Sequence, residues 1–187
     1  MAHLGSGVEY ALHCLLYLDQ PLAQPASSRD LAELQGISPS FLAKIFPKLE
    51  KAGIVAASEG IRGGYRLARD SSTITVLEVI DAVEGRKPLF DCQQIRGRCA
   101  IFNNKPPAWM TSGVCSVHAV MLRAERTMRD ELNRTTIRSL TEGIAAKAPS
   151  EFVEQLQSWF AGRVDTREQT RVVALKKPKA RKQGGEV

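Results

Sequence analysis

Three of the chain's four cysteines, Cys92, Cys99 and Cys115, fall within one 24-residue stretch. A thiolate is both a soft metal ligand and an oxidisable nucleophile. Three of them in a chain expected to be cytoplasmic point to metal binding or redox chemistry rather than to a disulfide framework. The spacing Cys92-x6-Cys99-x15-Cys115 is neither that of a zinc finger or zinc ribbon nor the tight run of a ferredoxin. Arg96, Arg98 and Lys105 lie close by in sequence and would offset the negative charge of a thiolate-bound centre. Cys115 stands near the start of an expected helix, whose dipole favours its thiolate. His118 follows it by three residues. In the first helix, Glu9 and His13 are four apart and share a face roughly 100–140° from the apolar stripe. Cys14 reads as a small apolar residue packed in that helix. Two chemistries stay open for the loop: ligation of a metal centre, and a reversible disulfide formed under oxidant.

The elements that must position these groups follow from periodicity. Residues 6–19 form a helix with Val8, Ala11, Leu12, Leu15 and Leu18 on one stripe, Ser6 as its cap, and Pro21 and Pro25 after its end. Ser28 caps a short second helix, Gly36 supplies a left-handed turn, and Ser38-Pro39 opens a third helix. Phe41, Leu42, Ile45, Leu49 and Ala52 face inward there, while Ser40, Lys44, Lys48 and Lys51 face outward. Pro47 lies inside this helix and is expected to kink or break it near Ala43. Residues 54–57 and 65–67 read as two strands joined by the glycine-rich loop 58–64. A helix follows over 75–84. A long amphipathic helix over 114–135 carries Val117, Met121, Ala124, Met128 and Leu132 on one stripe, suited to packing against a second copy. A last helix is expected at 149–161.

Helix, tight turn, capped helix and basic hairpin in that order outline a winged helix-turn-helix, a DNA-reading module. The recognition helix places Ser38, Ser40 and Phe41 at its leading end, with Phe41 also a core candidate. Lys44 and Lys48 on its outward face suit phosphates or guanine edges. Ser28 and Arg29 stand at another helix N-terminus, which favours an anion. Arg62 could enter a minor groove from the wing, and Tyr65 and Arg66 could brace the backbone. Glu59 could accept from a cytosine amino group but repels phosphate.

The blocks GISPSFLAKIFPKLEKAGIV, EGIRGGYRLARD and TVLEVIDAVEG occur in order with characteristic spacing. Across roughly residues 6–140 the chain resembles the family of iron–sulfur cluster regulators and nitric-oxide-sensing repressors (IscR/NsrR type). The resemblance implies a homodimeric winged-helix transcription factor. It also implies an iron–sulfur cluster held by Cys92, Cys99 and Cys115 just before the dimer helix, [2Fe-2S] first and [4Fe-4S] as the other form. His118 is one fourth ligand the resemblance implies. GVEYALHC resembles a redox-sensing branch in which a glutamate and a histidine of one subunit meet two cysteines of its partner, which makes Glu9 and His13 the other. The chain departs from the family in Glu59, where a basic residue is common, and in its longer gap between Cys99 and Cys115.

The division expected is a DNA-binding domain over 1–84, a cysteine-containing sensor loop over 85–113, a dimerisation helix and C-terminal helix over 114–162, and a disordered basic tail over 163–187. Residues 171–187 hold six basic side chains against Glu186 alone, so most of the formal charge of +6 sits there. No apolar run is long enough to span a membrane, and a cytoplasmic protein is the default expectation. No nucleophile with a positioned base and no phosphate-binding loop stands out, so an enzyme is not expected. The partners expected are a pseudo-palindromic DNA duplex and a second copy of the chain. A cluster-free regulator working by a thiol/disulfide switch is the competing reading. A protein that coats DNA through its basic tail is a third.

Overall fold

The first helix, α1 (Ser6–Leu18), is the hub because its apolar stripe is fully enclosed: Val8, Ala11, Cys14 and Leu15 are buried on it. Gly5 rather than Ser6 is the capping position. In this computed structural model, which describes residues 4–60, 63–103 and 105–176, α1 packs against several other elements of the body. Two helices joined by a tight turn follow, α2 (Ser28–Leu34) and α3 (Pro39–Lys51), and α3 packs against α1. Ser27, one residue earlier than expected, caps α2 by accepting the Asp30 N–H at 3.1 Å. Gly36 between the helices has φ +67°, the left-handed conformation that a side chain resists.

Pro47 does not break α3, which runs unbroken to Lys51. A proline inside a helix costs about 3 kcal/mol. Leu42, Ile45, Phe46 and Leu49 are buried on both sides of it. Each such burial contributes about 1.5–3 kcal/mol, so packing outweighs the lost hydrogen bond.

The wing is a two-stranded antiparallel sheet, β1 (Val55–Ser58) with β2 (Gly64–Leu67), in the register Val55–Leu67 to Ser58–Gly64. It is stitched to the loop before α2 by reciprocal bonds between Ala26 and Tyr65, with N–O distances of 2.8 and 3.2 Å. A Cβ on Gly64 would sit 2.6 Å from the Ala26 carbonyl atoms, so only glycine fits. Gly64→Val is therefore expected to destabilise the fold by about 1–3 kcal/mol, through overpacking against backbone and loss of this bridge. Urea unfolding reads the effect, and an unchanged midpoint would refute it.

Helix α4 (Val76–Glu84) begins with a full capping box, Thr75 with Glu78, and buries Val76, Val79, Ile80 and Val83. After it the chain makes short 3-10 turns at Ile95–Arg98 and Ala100–Phe102, then the single-turn α5 (Ala108–Thr111). The long helix α6 (Ser116–Arg134) follows and has no buried residue. Met121 and Leu132 are half-covered, but Val117, Val120, Leu122 and Met128 stand exposed. Helix α7 (Ile137–Ala145) starts where residues 135–137 pair with 74–76.

The last helix, α8 (Phe152–Lys176), departs from expectation. It does not end at Gly162, so residues 163–176 are helical rather than a disordered tail. The cause is docking: Val164 is buried, and Arg163 and Arg167 pair with Glu33 and Asp30. Residues 177–187 lie outside the described residues. Among the described residues no helix is long and apolar enough to cross a membrane.

Candidate functional site

The reading head is presented by α2, α3 and the wing. At the front of α3, Ser38 and Ser40 are both exposed and share a hydroxyl hydrogen bond of 2.8 Å. Ser38 thus bonds Ser40 instead of capping the helix with its side chain. Phe41 sits at the rim of the core, 39% exposed, its ring meeting that of Tyr10 edge-on at 5.5 Å. Lys44 is exposed on the outward face as expected, and Ser28 and Arg29 lie at the start of α2 with Arg29 exposed.

Two expected contacts are placed otherwise. Lys48 turns back along the body and donates from Nζ to the Val83 carbonyl at 2.7 Å, at the C-terminal end of α4. A cation there complements the helix dipole, so its first role is to join α3 to α4. Tyr65 is half-buried, with its ring 4.4 Å from that of Phe46. It anchors the wing to the core. Arg66 donates to the Ala23 carbonyl at 3.3 Å. Glu59 is exposed at the wing, while Arg62 lies outside the described residues.

In the cysteine loop, Cys92 and Cys115 line one pocket of about 250 Å³ together with Phe90, Ile95, Arg96 and Val117. Cys99 is half-buried at the junction of the two 3-10 turns and does not line it. All three thiols are free. Cys115 is the residue that caps α6. The backbone N–H groups of His118 and Val117 hold its thiol below the ordinary range, and Arg96 adds to this. Arg96 also donates to the Gly113 carbonyl at 2.5 Å, which ties the turn after Cys92 to the approach to α6. His118 lies beside Phe90, ring centroids 6.0 Å apart.

Cys14 is the opposite case. It is buried, accepts a hydrogen bond from Gln35 at 2.9 Å, and burial pushes its thiol up to about 12. In cluster-free protein, iodoacetamide should modify Cys115 at a lower pH than an ordinary thiol, because its thiolate forms earlier. Cys14 should stay unmodified until the chain unfolds. Mass mapping between about pH 6 and 9 checks both. A Cys115 no faster than a short cysteine peptide at neutral pH would contradict the first.

Glu9 and His13 are both exposed on the face of α1 turned away from its core stripe. Among the described residues, no three His, Cys, Asp or Glu side chains converge where they could hold a metal ion. One chain therefore brings two cysteines to one pocket and leaves the glutamate and histidine apart from them. Sequence reasoning missed the links between elements: bidentate Arg129–Asp81 between α6 and α4, at 2.7 and 3.2 Å, and the two arginine pairs of α8.

Residues 4–143 match the Rrf2 family, described as an iron-dependent transcriptional regulator. The chain belongs to the Rrf2 family. Protein rrf2 of Nitratidesulfovibrio vulgaris is 31% identical over 117 residues, covering 63% of this chain and 71% of that protein. The HTH-type transcriptional regulator IscR of Vibrio vulnificus is 45% identical over 75 residues, 40% of this chain and 44% of its own length. The chain thus spans less than half the length of the IscR relatives it matches. Among solved structures, T. potens IscR superposes with a TM-score of 0.58 at 24% identity, covering 80% of this chain and 93% of that one. CymR (YrzC), the global cysteine regulator of B. subtilis, gives 0.57 at 20% identity, with 76% and 98% covered. At these identities the superpositions establish the fold, a winged helix with a long helix after it. The family to which the chain belongs is thus one of transcriptional regulators. The match ends at residue 143, so α8 lies beyond it.

Proposed function

We propose that this Rrf2-family chain is a homodimeric, cytoplasmic regulator of a pseudo-palindromic operator, and that it senses redox state, iron–sulfur status or nitric oxide. The carrying observation is that Cys92 and Cys115 line one pocket at the start of α6, with Cys115 itself the capping residue. The donor set suits a [2Fe-2S] cluster. Two cysteines of one subunit, Cys92 and Cys115, would hold it together with Glu9 and His13 of the other subunit. Cys99, off the pocket, and His118, beside Phe90, are the alternative ligands. The cluster supplies one-electron redox chemistry and lability toward oxidant and nitric oxide. The exposed apolar residues of α6 support a second copy packing there, as a long amphipathic helix without a buried residue requires.

The chain's own residues supply a route from sensor to reading head. Cys115 caps α6, so whatever its sulfur bonds to acts on the start of that helix. Arg129 of α6 clasps Asp81 of α4. Lys48 of α3 holds the Val83 carbonyl at the end of α4. A change at Cys115 thus reaches the recognition helix through two polar joints. It can shift DNA affinity only as far as it favours one arrangement over another.

Anaerobic purification followed by an absorbance spectrum and iron and sulfide counts tests the proposal. Visible absorbance with iron and acid-labile sulfide in equal amounts is expected. Protein without iron, sulfide or colour would sink it. The thiol switch is favoured by the same shared pocket, and it predicts instead that oxidant removes two free thiols per chain from iron-free protein.

A further inference from the structure

We propose that the hollow between α8 and the loop before α2 is a binding site for a small neutral aromatic molecule carrying an oxygen acceptor, such as a phenol, and that its occupancy steadies the wing. The bearing of the site on DNA rests on the winged-helix reading; binding at the site does not.

Two walls enclose a volume of about 510 Å³. Pro21, Leu22 and Pro25 of the loop make one, and Phe160, Ala161 and Val164 of α8 make the other. The walls are tied together. Gln157 donates to the Pro21 carbonyl at 2.8 Å, Arg163 pairs with Glu33, and Arg167 faces Asp30 at 3.2 Å. Mostly apolar walls with a few polar groups, around a space on the order of 300–1,000 Å³, are the form of a small-molecule site. The family match ends at residue 143, so the α8 wall lies outside it.

The lining sets the chemistry of the ligand. Two rigid prolines and the Phe160 ring suit a flat aromatic body. Exposed Gln24, Gln157 and Ser158 add amide and hydroxyl groups that donate and accept. Arg167 also lines the hollow. Its Nη1 faces Asp30, and its Nε is buried with no acceptor among the described residues. An oxygen seated beside this guanidinium adds an acceptor to a group with more donors than partners. Charge disfavours an anion there, because Asp165 in the lining and Asp30 beside Arg167 outnumber the one cation.

The loop wall is also the root of the wing. Arg66 of β2 donates to the Ala23 carbonyl at 3.3 Å. Ala26 and Tyr65 exchange backbone bonds of 2.8 and 3.2 Å. Ser27 caps α2 directly afterwards. A molecule packed against Leu22 and Pro25 therefore restrains the segment from which both the wing and α2 are hung. It shifts their arrangement only as far as it binds one arrangement better than another.

The test titrates β-naphthol into the full, cluster-free chain and follows the backbone amide resonances. Saturable shifts at Leu22, Gln24, Ala161 and Val164 are expected, with a Kd at or below about 1 mM. Hydrogen exchange at the Ala26 and Tyr65 amides is expected to slow on saturation. Ala161→Phe fills the hollow from α8, and Ala23→Leu fills it from the loop. Each is expected to weaken binding at least about tenfold. Gln155→Phe adds bulk to an exposed position of α8 outside the lining and is expected to leave the Kd unchanged. Circular dichroism confirms that the variants fold. β-Naphthoate, the same ring with a carboxylate, is expected to bind at least about tenfold more weakly than β-naphthol. Absent shifts at these amides, equal affinity in both filled variants, or β-naphthoate binding as tightly as β-naphthol would overturn the proposed site. Unchanged exchange at Ala26 and Tyr65 would overturn its link to the wing. Each of these results leaves the winged-helix reading standing.

Discussion

Replacing Cys115 with serine is expected to abolish iron and sulfide incorporation, while Cys99→Ser leaves both near the level of the unaltered protein. Cys115 combines three features that Cys99 does not share. It lines the pocket with Cys92, it caps α6, and its thiolate accepts backbone N–H groups of His118 and Val117. A thiol held below its ordinary range gives up its proton to a soft metal more readily. Serine keeps the cap and its hydrogen bonds, so α6 should form normally. It removes the sulfur, and loss of a ligand should weaken metal retention by at least about 10- to 100-fold. Cys92→Ser should behave like Cys115→Ser. Glu9→Ala and His13→Ala should lower cluster content without altering the thermal stability of the cluster-free chain, because both side chains are exposed. Iron and sulfide counts on the five proteins, with circular dichroism of each, decide the matter. A Cys99→Ser protein as empty as Cys115→Ser would mean that three cysteines of one chain act together, as in the [4Fe-4S] form.

The second large effect concerns Asp30. Its side chain is 6% exposed in the first turn of α2, and its charge partner is Arg167, 3.2 Å away on α8. Breaking a buried pair from one side costs about 3–5 kcal/mol, because the remaining charge is left without compensation. Arg167 is 28% exposed, so solvent screens part of that. Arg167→Ala is therefore expected to cost about 1–3 kcal/mol. The Asp30→Asn, Arg167→Gln double variant should recover most of the loss, since neither group then carries a buried charge. Urea unfolding of the unaltered chain, Asp30→Asn, Arg167→Gln and the double variant gives the coupling directly. If Arg167→Ala unfolds at the unaltered midpoint, α8 is not held at this point.

The reading head was legible in the sequence because its signals are local. Gly36 takes the left-handed conformation its position suggested. The helix periods of α1 and α3 place most of the buried side chains, but Phe41 stops at the rim, Ala52 is exposed, and Leu16 and Phe46 are buried off the expected stripes. What was not legible depends on residues far apart in the chain. Periodicity puts Lys48 outside, but only the fold brings the end of α4 beneath it. A polar, arginine-rich run after Gly162 reads as a tail until Glu33 and Asp30, some 130 residues earlier, turn out to face it. Pro47 reads as a break until the core on both sides of it is counted. The cysteine loop falls between these cases. Its chemistry is legible in residue type, but that Cys92 and Cys115 line one pocket, which Cys99 does not, comes from how the loop folds over the start of α6.

A change at Cys92 and Cys115 is expected to alter what the winged helix does to DNA. This is tested by selecting duplexes from a random pool with anaerobically purified protein. Binding to the winning sequence is then measured with the cluster reduced, oxidised and removed. A palindromic winner is expected, with affinities that differ by at least about tenfold, or 1.4 kcal/mol, between at least two of the states. Equal affinity in all three states would contradict the claim.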